Sequence, residues 1–210
     1  MAEQTDFYAV VAGRRSVRRF KPDPVPEDDL REIIRLATLA PSASNRQMWK
    51  FVAVARPAVR QAMREAVERA IDELAVAVPG VKGITGMKGW SLFFAEAPVV
   101  IAVCGEEYQS RTDQALRARG LAAAEVDRLR ARPDIQSVGA AIQTLMLAAH
   151  AKGYGTCWMC APVLAAREIE RLLGVEERWH LLALVPLGVP AERPKMPARK
   201  PLDEVYTYLG

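Results

Sequence analysis

Histidine is nearly absent from this chain, with only His150 and His180 among 210 residues. One falls on an apolar helical pattern and the other beside a strand pattern, so both read as structural, and side-chain base chemistry is poorly provided. Three cysteines, Cys104, Cys157 and Cys160, form an odd set without disulfide-framework spacing, which fits a reducing compartment. With so few soft ligands, a zinc site would need an unusual convergence. Cys157 and Cys160 have the spacing of a dithiol motif, yet they do not open a helix preceded by a strand and Trp, which counts against disulfide exchange. Gly153 and Gly155 lack the third glycine of a dinucleotide fingerprint. No apolar run approaches the ~20 residues of a membrane helix. The polar stretch 2–6 is no signal peptide, so a cytoplasmic protein without a membrane partner is expected. A net charge of +4 is mild for this length, and small anionic ligands suit it better than nucleic acid does.

Half of the chain is apolar, enough to fill one domain over residues 1–210. Its densest chemistry is the run Arg14, Arg15, Ser16, Val17, Arg18, Arg19, Phe20. Four guanidiniums and a hydroxyl in so short a span form a donor cluster suited to phosphate oxygens. Val17 and Phe20 interrupt the arginines, which favours a folded phosphate pocket. A solvated face or a nucleic-acid arm is the competing reading of this run alone.

Around it, hydrophobic periodicity lays out the elements. Thr5 or Asp6 caps a first helix, which Gly13 ends as a left-handed residue. Pro22, Pro24 and Pro26 hold the chain extended before a helix with an inward stripe at Leu30, Ile33, Ile34 and Ala37. Pro41 stops it, and 41–47 is a loop of small polar residues ahead of a strand at 49–54. A long helix carries Val59, Met63, Val67, Ile71, Leu74 and Val78. Four glycines make 79–89 a mobile loop beside Trp90, Phe93 and Phe94, which suit a substrate mouth or core packing. After a strand at 99–104, the polar, Arg-rich 106–132 holds one or two exposed helices. A lid or insertion around 79–133 is the expectation. The helix 135–152, buried nearly all round, reads as central. A short strand from Thr156 through Met159 stops at Pro162, and a helix with Ile169, Leu172 and Leu173 inward ends at Gly174. A core strand covers 180–185. From Pro186 to Pro201 five prolines prevent regular structure, and the apolar end 202–209 needs a surface to dock on.

Without an acid, base or metal set, chemistry has to come from a bound cofactor. Four blocks in order then resemble the nitroreductase family of FMN-dependent oxidoreductases: Arg14, Arg15, Ser16, Arg18 with Phe20; Pro41, Ser42, Asn45, Gln47, Trp49 and Phe51; the Gln143 helix leading to Gly153, Tyr154, Gly155, Thr156 and Trp158; and Arg199, Lys200, Pro201, Leu202. The resemblance implies an α+β, nitroreductase-like three-layer fold, with a mixed central β-sheet flanked by helices, in an intertwined homodimer. It assigns Arg14, Arg15, Ser16 and Arg18 to the FMN phosphate and ribityl chain, joined by Arg199 and Lys200. Pro41, Ser42, Ala43, Asn45 and Gln47 would line the flavin of the partner subunit. Trp158, Met159, Cys160 and Ala161 match positions whose backbone faces the ring. The C-terminal extension 189–210 would reach the partner. The implied reaction is ping-pong, with NADH or NADPH reducing the flavin and a small electron-poor acceptor, such as a nitroaromatic or quinone, reoxidising it. A flavin carrier or sensor without turnover is the alternative. Family branches also deiodinate, oxidise azolines, or destroy flavin to make a cobalamin ligand. Ser16 stands where that last branch tends to have an acid. Met48 replaces a common proline, and Cys160 a glycine or acidic residue.

Overall fold

The computed structural model describes residues 6–210, so Thr5, one of the two capping candidates, lies outside the described residues. Asp6 serves as the cap: its carboxylate accepts from Tyr8 N at 2.9 Å and starts α1 (Phe7–Gly13). Gly13 does not end that helix by a left-handed turn, because it has no positive φ. Its role is steric, since a Cβ there would stand 2.8 Å from Nε2 of His150.

The acidic first turn of α2 (Glu27–Ala37) faces the positive end of its own dipole, and Leu30, Ile33 and Ala37 are buried. β1 (Trp49–Val54), α3 (Pro57–Ala77), the single turn α4 (Lys88–Ser91) and β2 (Val99–Gly105) follow. The glycine-rich 79–89 is thus partly ordered into short turns. The polar segment forms α5 (Arg111–Ala118), capped reciprocally by Ser110 and Asp113, and α6 (Ala123–Arg130). Then come α7 (Pro133–Ala151), β3 (Gly155–Thr156), α8 (Ala166–Leu173) and β4 (His180–Gly188). Gly174, at φ +62°, closes α8 as expected.

The strands order β1-β2-β4-β3, every pair antiparallel. The expected mixed character of the sheet reduces, among the described residues, to one parallel bridge between Ser16 and Thr156. β2 is buried along its whole length and alternates between two cores. Val99, Ile101 and Val103 pack with α2 and α7, while Val100, Ala102 and Cys104 pack with α3 and α8. This is the α+β three-layer arrangement. β4 needs an irregularity to follow β2. Its register slips between Val103 and Cys104, which pair with Ala183 and Leu181, so Leu182 is the extra residue. Leu181 and Leu184 therefore share one core although an odd number of positions separates them.

Two strand expectations are corrected. β4 does not stop at Val185 but runs through Pro186 to Gly188. Leu184 donates to Met159 on the β3 side. Backbone N–H groups two apart on a strand point the same way, so Pro186 sits where an N–H toward β3 is missing. For that reason the expected strand through Met159 is broken: Gly155 and Thr156 pair, Cys157 and Trp158 leave the ladder, and Met159 rejoins it as a bridge to Leu184.

Candidate active site

The arginine block is an added extended segment at the open edge of the sheet. Val17 N donates to Thr156 O at 2.9 Å, Lys21 N to Val189 O at 2.8 Å, and Ala191 N to Arg19 O at 2.9 Å. Glu192 fastens it from the other side, accepting from Arg18 N at 2.7 Å and Arg19 N at 3.2 Å and pairing with the Arg19 guanidinium. Those donors, the Arg18 amide first, hold the Glu192 carboxyl below its ordinary range. Alternation does the rest. Val17 turns inward and is buried against Gly155, where a Cβ would meet the Val17 side chain at 2.8 Å. Ser16 and Arg18 consequently face the other way.

On that other face lie two hollows that share Arg18. One, of ≈290 Å³, is walled by Arg14, Arg15, Ser16, Arg18, Lys195 and Arg199, with Pro194 and Pro197 holding the chain extended. The second, of ≈330 Å³, is walled by Arg18, Trp90, Phe93 and the run Cys157, Trp158, Met159, Cys160, Ala161. The first offers guanidinium and ammonium donors for an anion. The second offers aromatic faces and backbone for a planar ring. Together they suit one ligand with a phosphate at one end and a fused ring at the other, so the residues present fit the flavin mononucleotide that the resemblance implies.

Met159 differs from expectation in what it can give. Its N–H and C=O are both engaged with Leu184 at 3.0 Å, so it presents its side chain and leaves backbone donation to its neighbours. Cys157 is buried, and that burial pushes its thiol up, with Arg18 and the Ser16 hydroxyl only partly offsetting it. Burial likewise pushes Cys104 up to about 11. Neither thiol is a ready thiolate at neutral pH. His150 sits behind Gly13, with its pKa pushed down by burial, then by Arg14 and Arg15. It is a neutral packing group there.

Pro41, Ser42, Ala43, Asn45 and Gln47 are not brought to these hollows within one chain. Their loop is held at the start of α7: Ala43 N donates to Ser137 Oγ at 3.1 Å, Gln47 N to Ser42 Oγ at 3.0 Å, and Ser44 Oγ shares a 2.8 Å hydrogen bond with Tyr108. Ser44, Asn45 and Gln47 all have φ near +50°. Three non-glycine residues in the left-handed region within four positions make this a strained segment. Lys200 is exposed and lines neither hollow, unlike Arg199.

Lys195 and Glu192 are site residues beyond those expected from the sequence. The spacing of Lys195 and Arg199 in a proline-broken stretch was a usable signal for the first, but nothing local marks Glu192 as the anchor of the arginine block. Of the three aromatics read as a mouth, Trp90 and Phe93 line the hollow, and Phe94 is fully buried in the core.

Residues 11–189 match the sequence model of the Nitroreductase family. An NADH dehydrogenase of Thermus thermophilus is 33% identical over 199 residues, covering 93% of this chain and 92% of that protein. A 5,6-dimethylbenzimidazole synthase of Rhodospirillum rubrum is also 33% identical, over 197 residues, covering 90% and 84%. Among solved structures, a BluB-like flavoprotein from Clostridium difficile 630 superposes with a TM-score of 0.89 at 30% identity, covering 98% of this chain and all of that one. With the arginine block, the Gly155–Thr156 edge and the paired hollows all falling inside or beside the matched span, the chain belongs to the Nitroreductase family.

Proposed function

We propose that this protein is an FMN-dependent oxidoreductase that passes electrons from NADH or NADPH to a small electron-poor acceptor, a nitroaromatic or quinone being the type. The observation that carries the reading is Arg18, the shared wall of a cationic and an aromatic hollow. FMN held there supplies reversible hydride and electron transfer, which the side chains of this chain cannot.

The protein's part is to bind, orient and exclude. Arg14, Arg18 and Arg199 hold the phosphate, with Arg15, Lys195 and the flanking Lys200 adding positive potential. Ser16 offers a hydroxyl toward the ribityl chain. Trp158, Met159, Cys160 and Ala161 form the floor under the ring, and Trp90 and Phe93 narrow the approach. Pro41, Ser42, Ala43, Asn45 and Gln47 complete the site from a second copy, in a homodimer embraced by the extensions 189–210. β2 and Phe94 belong to the core, so the lid is limited to the stretches of 79–133 on either side of them, of which 106–132 is clipped by Arg130 to Asp113 at 2.8 Å and Arg117 to Glu107 at 2.8 Å. A hydroxyl rather than a carboxylate at Ser16 is mild support for this reading over the flavin-destroying branch.

Anaerobic mixing with NADH and with NADPH tests the reading. Bleaching of the flavin absorbance by either, and its return on adding a quinone, supports it. If neither nucleotide bleaches the flavin, the protein is a carrier or sensor and the proposal fails.

A further inference from the structure

Behind the arginine block, on the Val17 side, lies a larger cleft of ≈720 Å³ that the flavin reading does not use. Arg14 and Arg15 reach its wall from one direction, and Lys21, Arg193 and His150 close it from others. No carboxylate among the described residues pairs with Arg14, Arg15, Lys21 or Arg193. The one acid on the wall is Glu192, and the amides of Arg18 and Arg19 with the Arg19 guanidinium already engage its oxygens. With Arg14 and Arg15 facing the flavin phosphate as well, Lys21 and Arg193 are the cations left to this concavity alone, and their charge favours an anion.

The walls also set its size and shape. Gly13, Gly153 and Gly155 give a stretch of bare backbone, while Val17 and Pro190 are apolar. A cleft of this volume falls in the range that takes ligands of about nucleotide size. The phenol of Tyr154 is spent on Asp29 at 2.5 Å, so the ring serves as wall and not as donor.

We infer that this cleft is a second anion site, back to back with the flavin phosphate site and built for a nucleotide-sized phosphate ester. Phosphate oxygens meet Lys21 and Arg193 at the rim, Arg14 and Arg15 add positive potential from the shared wall, where Arg15 is held by Ala12 O and Arg14 O, and the organic body lies along Val17 and Pro190. Because the two sites share arginines, occupancy of one is felt at the other. That coupling makes the cleft a place where a phosphorylated metabolite adjusts flavin retention.

The test uses full-length protein as purified with its cofactor, and ADP as the probe, followed by calorimetry. The expected result is saturable binding of one ADP per chain, with inorganic pyrophosphate competing. Lys21→Ala and Arg193→Ala should each weaken ADP at least about tenfold, the scale of one charge-assisted contact, with FMN content unchanged. Flavin content is read in the same samples, so failure of the flavin reading and failure of this one are separate results. No saturable binding, ADP that displaces FMN mole for mole, or variants that bind ADP as wild type does would overturn the inference. So would ADP binding that appears only after residues 203–210 are deleted, since the acidic tail of a second copy would then be the occupant.

Discussion

Val17 and Gly155 touch so closely that a single methyl between them has no room, a Cβ on Gly155 falling 2.8 Å from the Val17 side chain. This contact lays the arginine block on the sheet edge, and it links a core packing fact to ligand binding. Gly155→Ala should destabilise the fold by about 1–3 kcal/mol through overpacking and also weaken FMN, because the block must shift. Gly139→Ala is the control: its Cβ would meet only Trp158 at 3.5 Å, an ordinary contact, in the interior of α7. It should be neutral or stabilising by up to about 1 kcal/mol. Denaturant midpoints at one protein concentration, with FMN content, separate the two. Equal effects from both substitutions would dismiss the contact.

Ala131 ends α6 at φ +52°, where a Cβ is unfavourable and glycine is preferred. Ala131→Gly should stabilise the chain by about 0.5–1 kcal/mol, net of the greater freedom of glycine in the unfolded state. A lowered midpoint would show that this residue does not carry left-handed strain.

Tyr154 and Asp29 give an alkaline signature. Burial, and then the Asp29 carboxylate, raise the Tyr154 phenol from 10.0 to about 12. The neutral phenol is the form the fold favours, so its contribution is complete below the ordinary value near 10 and is lost as pH rises toward 12. Asp29 runs oppositely: Tyr154 and Lys152 lower its pKa, so its contribution is present above 3.8 and lost as pH falls below that value. Both groups are only partly buried and remain in reach of solvent, so the amplitudes are modest. Unfolding followed from pH 8 to 12 should steepen above pH 10 in wild type and less so in Tyr154→Phe. Identical profiles would remove the hydrogen bond as the cause.

We expect a homodimer. Leu202, Val205, Tyr206, Tyr208 and Leu209 are all more than half exposed, as are Phe7 and Tyr8. So much apolar side chain left in water at both ends calls for a covering surface. Light scattering should give twice the chain mass of 23.1 kDa, and deleting residues 196–210 should lower both dimer stability and FMN affinity, since Arg199 goes with them. A folded monomer that binds FMN normally after the cut would contradict the dimer and the C-terminal phosphate contact alike.

Much of this was legible in residue patterns. The α2 stripe Leu30, Ile33, Ile34, Ala37 and the Gly174 stop follow from local periodicity and φ preference, and the structure holds both, with Ile34 half-buried at the edge of the stripe. What escaped were effects of the third dimension. Pro186 reads as a breaker, yet a strand accepts it where the neighbouring chain has stepped out of the ladder. Gly13 reads as a turn residue, yet it is small because His150 arrives from a helix far along the chain. Glu192 had no local signal at all, since its partners are backbone amides some 174 positions away. The arginine block itself stands out because guanidinium density survives as a signal without any contact information.

The most direct measurement is a titration of cofactor-stripped protein with FMN, read by quenching of flavin fluorescence, in wild type, Arg14→Ala and Arg18→Ala. One FMN per chain is expected for wild type. Each alanine variant should remain folded and bind about ten- to a hundredfold more weakly, because a charge-assisted phosphate contact contributes roughly 1.5–3 kcal/mol. A wild-type protein that takes up no FMN, or both alanine variants binding it with undiminished affinity, would contradict the assignment of the arginine block to the flavin phosphate.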